Sequence, residues 1–298
     1  MVTLYHWDLP LFLQNTYGGW LSEEIVPDYV AYARLAFTRW HSKVQHWFTV
    51  NEPIVICGLY PLPEHYFTKT VIPPVRQRYY CGHNLLLAHS EAYHVGKSIN
   101  SSLIISLKHN GGYKIPRTNS SADATAVQRA WDFQEGWFSD PVFLTGDYPK
   151  HLSDYVSSFL PAFTDAQKKQ INGSADFYAH DAYTSDFIMA PDSGIDACTR
   201  DESNPLFPGC YNTTKLYAGD YWAIGPASDP GTPWLFKATD WVPTFLRYIQ
   251  DTWKPRVSKF SILPLSSDLS PPISCVSIQP MLIHHYIYRA ASPSPNSA

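Results

Sequence analysis

The sequence predicts an α/β fold, with parallel strands alternating with helices that pack outside them, and three observations carry the prediction. Short apolar and β-branched runs recur along the chain. Segments with helical apolar spacing separate them. The strand-like runs stop at turn-forming residues such as Asp8-Leu9-Pro10 and Asn51-Glu52-Pro53.

The first run, Val2-Thr3-Leu4-Tyr5-His6-Trp7, reads as a buried strand that ends in a turn. Ile25-Val26-Pro27-Asp28 then opens a helix whose apolar positions Val30, Ala33, Phe37 and Trp40 recur at helical spacing, with proline near the start. Trp47-Phe48-Thr49-Val50 is the second strand. Gly82 to Ile99 reads as helix, Leu103 to Leu107 as strand, Ala122 to Phe138 as helix and Asp176 to Tyr183 as strand. A last helix is expected with Asp240 as its cap, Pro243 in its first turn, and Val242, Phe245, Ile249 and Trp253 on one face.

Beyond Pro255 the character changes. Residues 256–298 hold ten Ser, six Pro and one acidic residue, Asp268, and show no helical face. This tail is expected to be disordered and to carry no chemistry. Its apolar pieces, Phe260 to Leu265 and Met281 to Tyr288, are isolated. His284 and His285 are adjacent, so on a strand their side chains would point to opposite faces and could not share a metal.

The composition bounds the function. In 298 residues, 45% hydrophobic and 16% charged, the chain is globular in type, unlike a collagen, coiled-coil or disordered sequence. With 22 basic against 26 acidic side chains and a net charge of -4, it has no cationic excess to neutralise phosphates, so no nucleic-acid partner is expected. No apolar stretch approaches the roughly 20 residues that span a bilayer, and no leader-like segment opens the chain, so no membrane partner is expected. The 45 aromatic residues (10 Trp, 20 Tyr and 15 Phe) suit a site for flat, half-apolar ligands such as sugars, and equally a large aromatic core. The five cysteines form no CxxC pair, so no metal site is expected. Cys198 and Cys210 flank a polar, proline-containing stretch that fits either a loop disulfide or two free thiols. Four Asn-x-Ser/Thr tripeptides begin at Asn100, Asn119, Asn172 and Asn212.

The candidate site residues lie where strand-like runs end: His6 and Trp7 after the first, Asn51 and Glu52 after the second, and Tyr183 at the end of the Asp176 run. In a parallel barrel the site is built at the C-terminal ends of the strands, so separate strands can deliver these groups into one cleft. Taken singly each has a plainer reading: a core histidine, a packing tryptophan, a buried phenol and a glutamate in the turn before Pro53.

Thr3 to Pro10 (TLYHWDLP) with Thr49 to Pro53 (TVNEP) resembles glycoside hydrolase family 1, the retaining β-glucosidase family. The resemblance continues, in family order, through Tyr17-Gly18-Gly19-Trp20-Leu21, Gly82 to His89, Gly136 to Pro141, Gly146-Asp147-Tyr148-Pro149, Gly173 to Phe177 and Ala223-Ile224-Gly225-Pro226. It implies an incomplete (β/α)8 barrel over residues 1–255, a non-family tail over 256–298, a β-glucoside or small oligosaccharide as substrate, and no cofactor. It further implies Glu52 as general acid/base, Asn51 bonded to the sugar 2-hydroxyl, His6 and Trp7 lining the glycone site, and Tyr183 as the tyrosine that orients the nucleophile. Glu52 would protonate the leaving group and then activate water, while bonds to the 2-hydroxyl strengthen in the transition state.

Four departures stand out. Asp181 occupies the place of a usual Asn, and the loop from Gly58 to Thr70 lacks the family pattern. The first two family strands, with the Gln that grips the glycone, would precede Met1. The nucleophile strand should follow Trp253-Lys254-Pro255, yet the nearest echo, Val257-Ser258-Lys259-Phe260, puts Lys259 in the nucleophile slot. The seven glutamates end at Glu202, so only one of the two required carboxylates is recognisable. Three readings follow: a β-glycosidase impaired in turnover, a sugar-binding pseudoenzyme that keeps His6, Trp7, Asn51 and Tyr183 for recognition, or a faulty gene model of an active β-glucosidase.

Overall fold

The structure is a computed structural model that describes residues 1–58, 72, 74–215, 224–226, 234–236, 238–256, 258–261 and 276–278. Residues 59–70 of the departing loop, Ala223, Cys275, Met281 to Tyr288 and the His284-His285 pair lie outside the described residues.

Strands β1 (Val2–Tyr5), β2 (His46–Asn51), β3 (Ile104–Gly111) and β5 (Tyr178–Ala182) are parallel neighbours in that order. The register sets Val2 beside Trp47, Trp47 beside Ile105, and Lys108 beside Ala179. Helices α1 (Leu11–Tyr17) and α2 (Ile25–Trp40) connect β1 to β2, and α3 (Pro53–Gly58) and α4 (Pro74–Ile99) connect β2 to β3. Between β3 and β5 lie β4 (Lys114–Pro116), α5 (Ser121–Trp131), α6 (Trp137–Asp140), α7 (Lys150–Val156) and α8 (Asp165–Ile171), with π-helical turns at Asp132–Gly136 and Pro141–Thr145. A second, three-stranded sheet joins β4 to β6 (Asp186–Met189) and β7 (Asn212–Thr214), with α9 (Ile195–Thr199) in the loop. Helix α10 (Val242–Trp253) precedes β8 (Ser258–Ser261) and β9 (Val276–Ile278).

The sheet does not stop at β5. Strand β8 pairs parallel with β5, Tyr178 beside Ser258 and Ala179 beside Lys259, and β9 adds antiparallel to β8. The main sheet therefore runs β1-β2-β3-β5-β8-β9 and is open among the described residues, an incomplete barrel. Pairing thus enters the segment whose composition suggests disorder, because a bare edge at β5 presents N–H and C=O groups that even a Ser-rich run can satisfy.

Alternation along the strands separates two faces. On one side Phe37 and Ala33 of α2 and Leu85 and Leu86 of α4 pack with Trp47, Ile105 and Leu107. Tyr178 and Ala182 meet Trp131, Trp241, Phe245, Ile249 and Trp253 on the helix side of β5. On the other side Phe48, Phe177 and Ala179 form a small cluster with Ile104. Of the described tryptophans, Trp20, Trp47, Trp131, Trp137, Trp241 and Trp253 are buried and Trp7, Trp40 and Trp234 are exposed, so most of the indole content is core.

Three local expectations are corrected. The buried stripe of α2 runs through Ile25, Val26, Tyr29, Ala33, Ala36 and Phe37, whereas Val30 sits at its edge and Trp40 is exposed. Helix α4 begins at Pro74, ahead of Gly82. Asp240 does not cap α10: Trp241 holds that position without a side-chain bond, while Pro243 lies in the first turn as expected. Cys198 and Cys210 form a disulfide, and a second, unforeseen one joins Cys57 in α3 to Cys81 in α4.

Among the described residues nothing covers the apolar β1 edge. Met1, Val2, Trp7, Leu11, Phe12, Tyr32, Leu35 and Trp40 are all exposed there or on the adjoining helices.

Candidate active site

The site begins with how β2 is held. Trp47 packs edge-on against Phe37, and the Thr49 hydroxyl and His89 Nδ1 lie 2.6 Å apart, tying the strand to α2 and α4. His89 is fully enclosed, and burial lowers its pKa to about 3, so the imidazole is neutral at physiological pH. Tyr29 donates to the Thr49 carbonyl.

The strand ends at Asn51, and Glu52 turns the chain. Glu52 adopts the left-handed region, φ 50°, and its carbonyl accepts the N–H groups of Val55 and Ile56, so it starts α3 with Pro53 in the first helical position. Its own N–H donates to the Lys108 carbonyl at 2.7 Å. A non-glycine residue in this region is strained and persists only where its surroundings over-determine it. Here the ladder to β3 on one side and the helix on the other leave the backbone no alternative, and the Glu52 carboxyl is fixed above the strand ends.

Glu52 as a whole is only 4% exposed. Tyr183, the residue after β5, donates its phenol to Oε1 at 2.8 Å, and Asp181 of β5 is near enough for its charge to act on the carboxyl. Lys108 of β3 bonds Asp181 at 2.6 Å. Burial pushes the Glu52 pKa above the usual carboxylate range; the Tyr183 bond pulls it back, the Asp181 charge raises it further, and the Lys108 ammonium opposes that. Burial and the bond to Glu52 push the Tyr183 phenol up in turn, so it stays a donor.

From β1, Trp7 also takes a left-handed backbone, φ 76°, and donates its indole N–H to the Asn51 carbonyl at 3.1 Å. The His6 ring stacks on Trp7, and the His6 backbone N–H donates to the Asp8 carboxylate. Both side chains are exposed, which rules out core packing as their role. Among the described residues the buried Asn51 Oδ1 has no hydrogen-bond partner, which suits an acceptor for a ligand hydroxyl.

All five residues expected at the site thus lie at the C-terminal ends of β1, β2 and β5, and direct bonds link Tyr183 to Glu52 and Trp7 to Asn51. Tyr183, expected to serve a nucleophile, is engaged with Glu52. Three residues went unforeseen: Lys108; Asn110, whose buried Oδ1 also lacks a partner; and Trp234, exposed, with its ring edge-on to Tyr183 at 5.6 Å. Lys108 and Asn110 show one signal in the sequence, polar residues at the end of an apolar run. Trp234 shows none. Among the described residues no group of three or more His, Cys, Asp or Glu is placed to hold a metal, and no helix is long and apolar enough to cross a membrane.

A sequence model described as Glycosyl hydrolase family 1 matches residues 1–227. Raucaffricine-O-beta-D-glucosidase of Rauvolfia serpentina is 32% identical over 283 residues, covering 85% of this chain and 51% of that protein. Klotho of Mus musculus is 36% identical over 189 residues, 60% of this chain and 18% of that protein. The chain therefore spans about half the length of the first and under a fifth of the second. A solved β-glucosidase from the fungus Humicola insolens in complex with glucose superposes with a TM-score of 0.73 at 28% identity, over 85% of this chain and 53% of that one.

Proposed function

The chain belongs to glycosyl hydrolase family 1, and on that premise we propose that its strand ends bind the terminal sugar of a β-glucoside, that Glu52 is the proton donor of the site, and that turnover by this chain is impaired. The observation that carries the reading is the Glu52 carboxyl, buried, raised in pKa and bonded to Tyr183 beside an unpartnered Asn51 acceptor. A carboxyl kept protonated can assist departure of an alcohol, and Asn51 can bond the sugar 2-hydroxyl, where bonds strengthen as oxocarbenium character develops. His6 and Trp7 offer a stacked, exposed aromatic surface to the sugar face.

The impairment concerns the second carboxylate. A retaining mechanism uses two carboxyl groups about 5 to 5.5 Å apart, with the sugar between them. The Asp181 carboxylate is held in a 2.6 Å ion pair by Lys108, which engages it on the strand and not as a free nucleophile. On the strand beyond it, Lys259 stands beside Ala179, and no glutamate follows Glu202. General acid assistance alone supplies about 10² to 10⁴-fold, far below what glycoside hydrolysis needs.

The test pairs binding with turnover. Titration with glucose or cellobiose is expected to show binding, while a chromogenic β-glucoside is cleaved near background. Replacing residues 256–298 by a family nucleophile strand, with the family's N-terminal strands joined to both versions, is expected to give turnover. Comparable rates from the version with the native tail would overturn the impairment, and absence of sugar binding would overturn the site itself.

A further inference from the structure

Glu52 immediately precedes α3, and Cys57 lies near the other end of that helix. The helix has six residues, fewer than two turns, and a helix that short does not hold its shape through its own hydrogen bonds. It nevertheless completes the most constrained backbone of the site. The Glu52 turn, left-handed at φ 50°, places its carbonyl to accept the N–H groups of Val55 and Ile56, at 3.0 and 3.2 Å. Fraying of α3 would release both, leaving only the bond from the Glu52 N–H to the Lys108 carbonyl to hold a conformation that non-glycine residues avoid.

Cys57 is 1% exposed and bonded to Cys81 of α4, with the Cα atoms 5.5 Å apart. That stretch of α4 is held on three sides. A Cβ on Gly82 would stand 2.5 Å from the Trp137 ring, the His83 Nδ1 and Tyr148 hydroxyl are 2.8 Å apart, and Asn84 donates to the Trp20 carbonyl at 2.9 Å. The bridge therefore joins a helix too short to be stable alone to a segment fixed by its neighbours. Among the other α3 residues Pro53 and Ile56 are buried, and their apolar contacts are not directional. At about 1.5 Å of rise per residue, Cys57 lies only about 7.5 Å along the axis from Glu52.

We propose that the Cys57–Cys81 bridge is a positioning device for the site: by tying α3 to α4 it keeps the Glu52 turn closed and the carboxyl over the strand ends. The two cysteines act through Glu52, so the proposal rests on the reading of Glu52 as proton donor. The second bridge, Cys198–Cys210, joins α9 to the residues before β7 and provides an internal control.

The experiment follows amide hydrogen exchange by NMR in the whole 298-residue chain. In Cys57→Ala/Cys81→Ala the amides of Glu52, Val55 and Ile56 are expected to speed up by about tenfold or more relative to Ile104. The Ile104 N–H bonds the Gln45 carbonyl at the opposite end of β2 and β3, so its rate follows the fold as a whole. Cys198→Ala/Cys210→Ala is expected to leave the ratio at its native value. An unchanged ratio in the first variant marks a bridge that stabilises the fold without positioning Glu52 and overturns the proposal, as does an equal rise in the control. Labelled glutamate carboxyl carbons give a second readout: as water reaches Glu52 in the first variant, its raised midpoint should fall toward the roughly 4.3 of a free glutamate. A midpoint that does not fall overturns the proposal too. Should the first variant fail to fold, the native chain decides. There the Val55 and Ile56 amides are expected to exchange through a urea-sensitive opening shared with α4, and exchange that urea leaves unaffected, the mark of a helix fraying alone, overturns the proposal. No readout involves sugar, so the functional reading fails separately, by absence of sugar binding.

Discussion

The Tyr183 phenol meets the Glu52 carboxyl at 2.8 Å across 131 residues of sequence and with a whole strand, β3, between their own. Neighbouring strands lie about 4.8 Å apart, so in a flat sheet the ends of β2 and β5 would stand nearly 10 Å from each other. Two long side chains leaning over the strand ends from either side of β3 close that gap.

Tyr183→Phe removes the bond that lowers the Glu52 pKa, so the Glu52 midpoint should rise. A carbon NMR titration of the whole chain labelled at the glutamate carboxyl carbons, with Glu52 assigned by its loss in Glu52→Gln, reads it, and a midpoint that falls contradicts the arrangement.

In a version joined to the family's other strands, Glu52→Gln should slow glycosides with poor leaving groups by about 10² to 10⁴-fold and those with good leaving groups much less. Chromogenic substrates spanning a range of leaving-group acidity provide the series. Equal losses across it would remove Glu52 from the role of acid.

His89 and His109 are fully buried, and burial lowers each to a pKa of about 3, against the usual 6.5. A depressed pKa stabilises the fold above the unfolded value and loses that stability as pH falls through the folded one. Resistance to urea should therefore decline from about pH 6.5 toward pH 3. His109 stacks on Tyr178 with its Nε2 unpartnered, so His109→Phe keeps the ring contact and should flatten the decline. An unchanged slope in the variant would assign the acid sensitivity elsewhere.

Two disulfides enclose four of the five cysteines. Alkylation of the unreduced, denatured chain should add one label, on Cys275, and alkylation after reduction should add five. Chain-entropy reasoning gives each bridge about 3 kcal/mol, so Cys57→Ala with Cys81→Ala should lower the denaturation midpoint clearly. Five labels without reduction would show that neither bridge forms.

The sequence alone determined the βα alternation, since strand and helix periods are local and survive in any context. It also placed Asn51, Glu52 and Tyr183 at strand ends, because apolar runs stop where polar and turn residues begin. Tertiary structure decided the rest. Gly82 shows why: a Cβ there would lie 2.5 Å from the Trp137 ring, a constraint set by a distant helix and invisible in the local pattern. The start of α4 at Pro74, the Cys57–Cys81 bridge and the strand at Ser258–Ser261 likewise depend on partners remote in sequence. So does the site's electrostatics. Lys108, Asp181 and Glu52 are unremarkable where they stand in the chain, and their charges become coupled only when parallel register sets β2, β3 and β5 side by side and burial removes the water that would screen them.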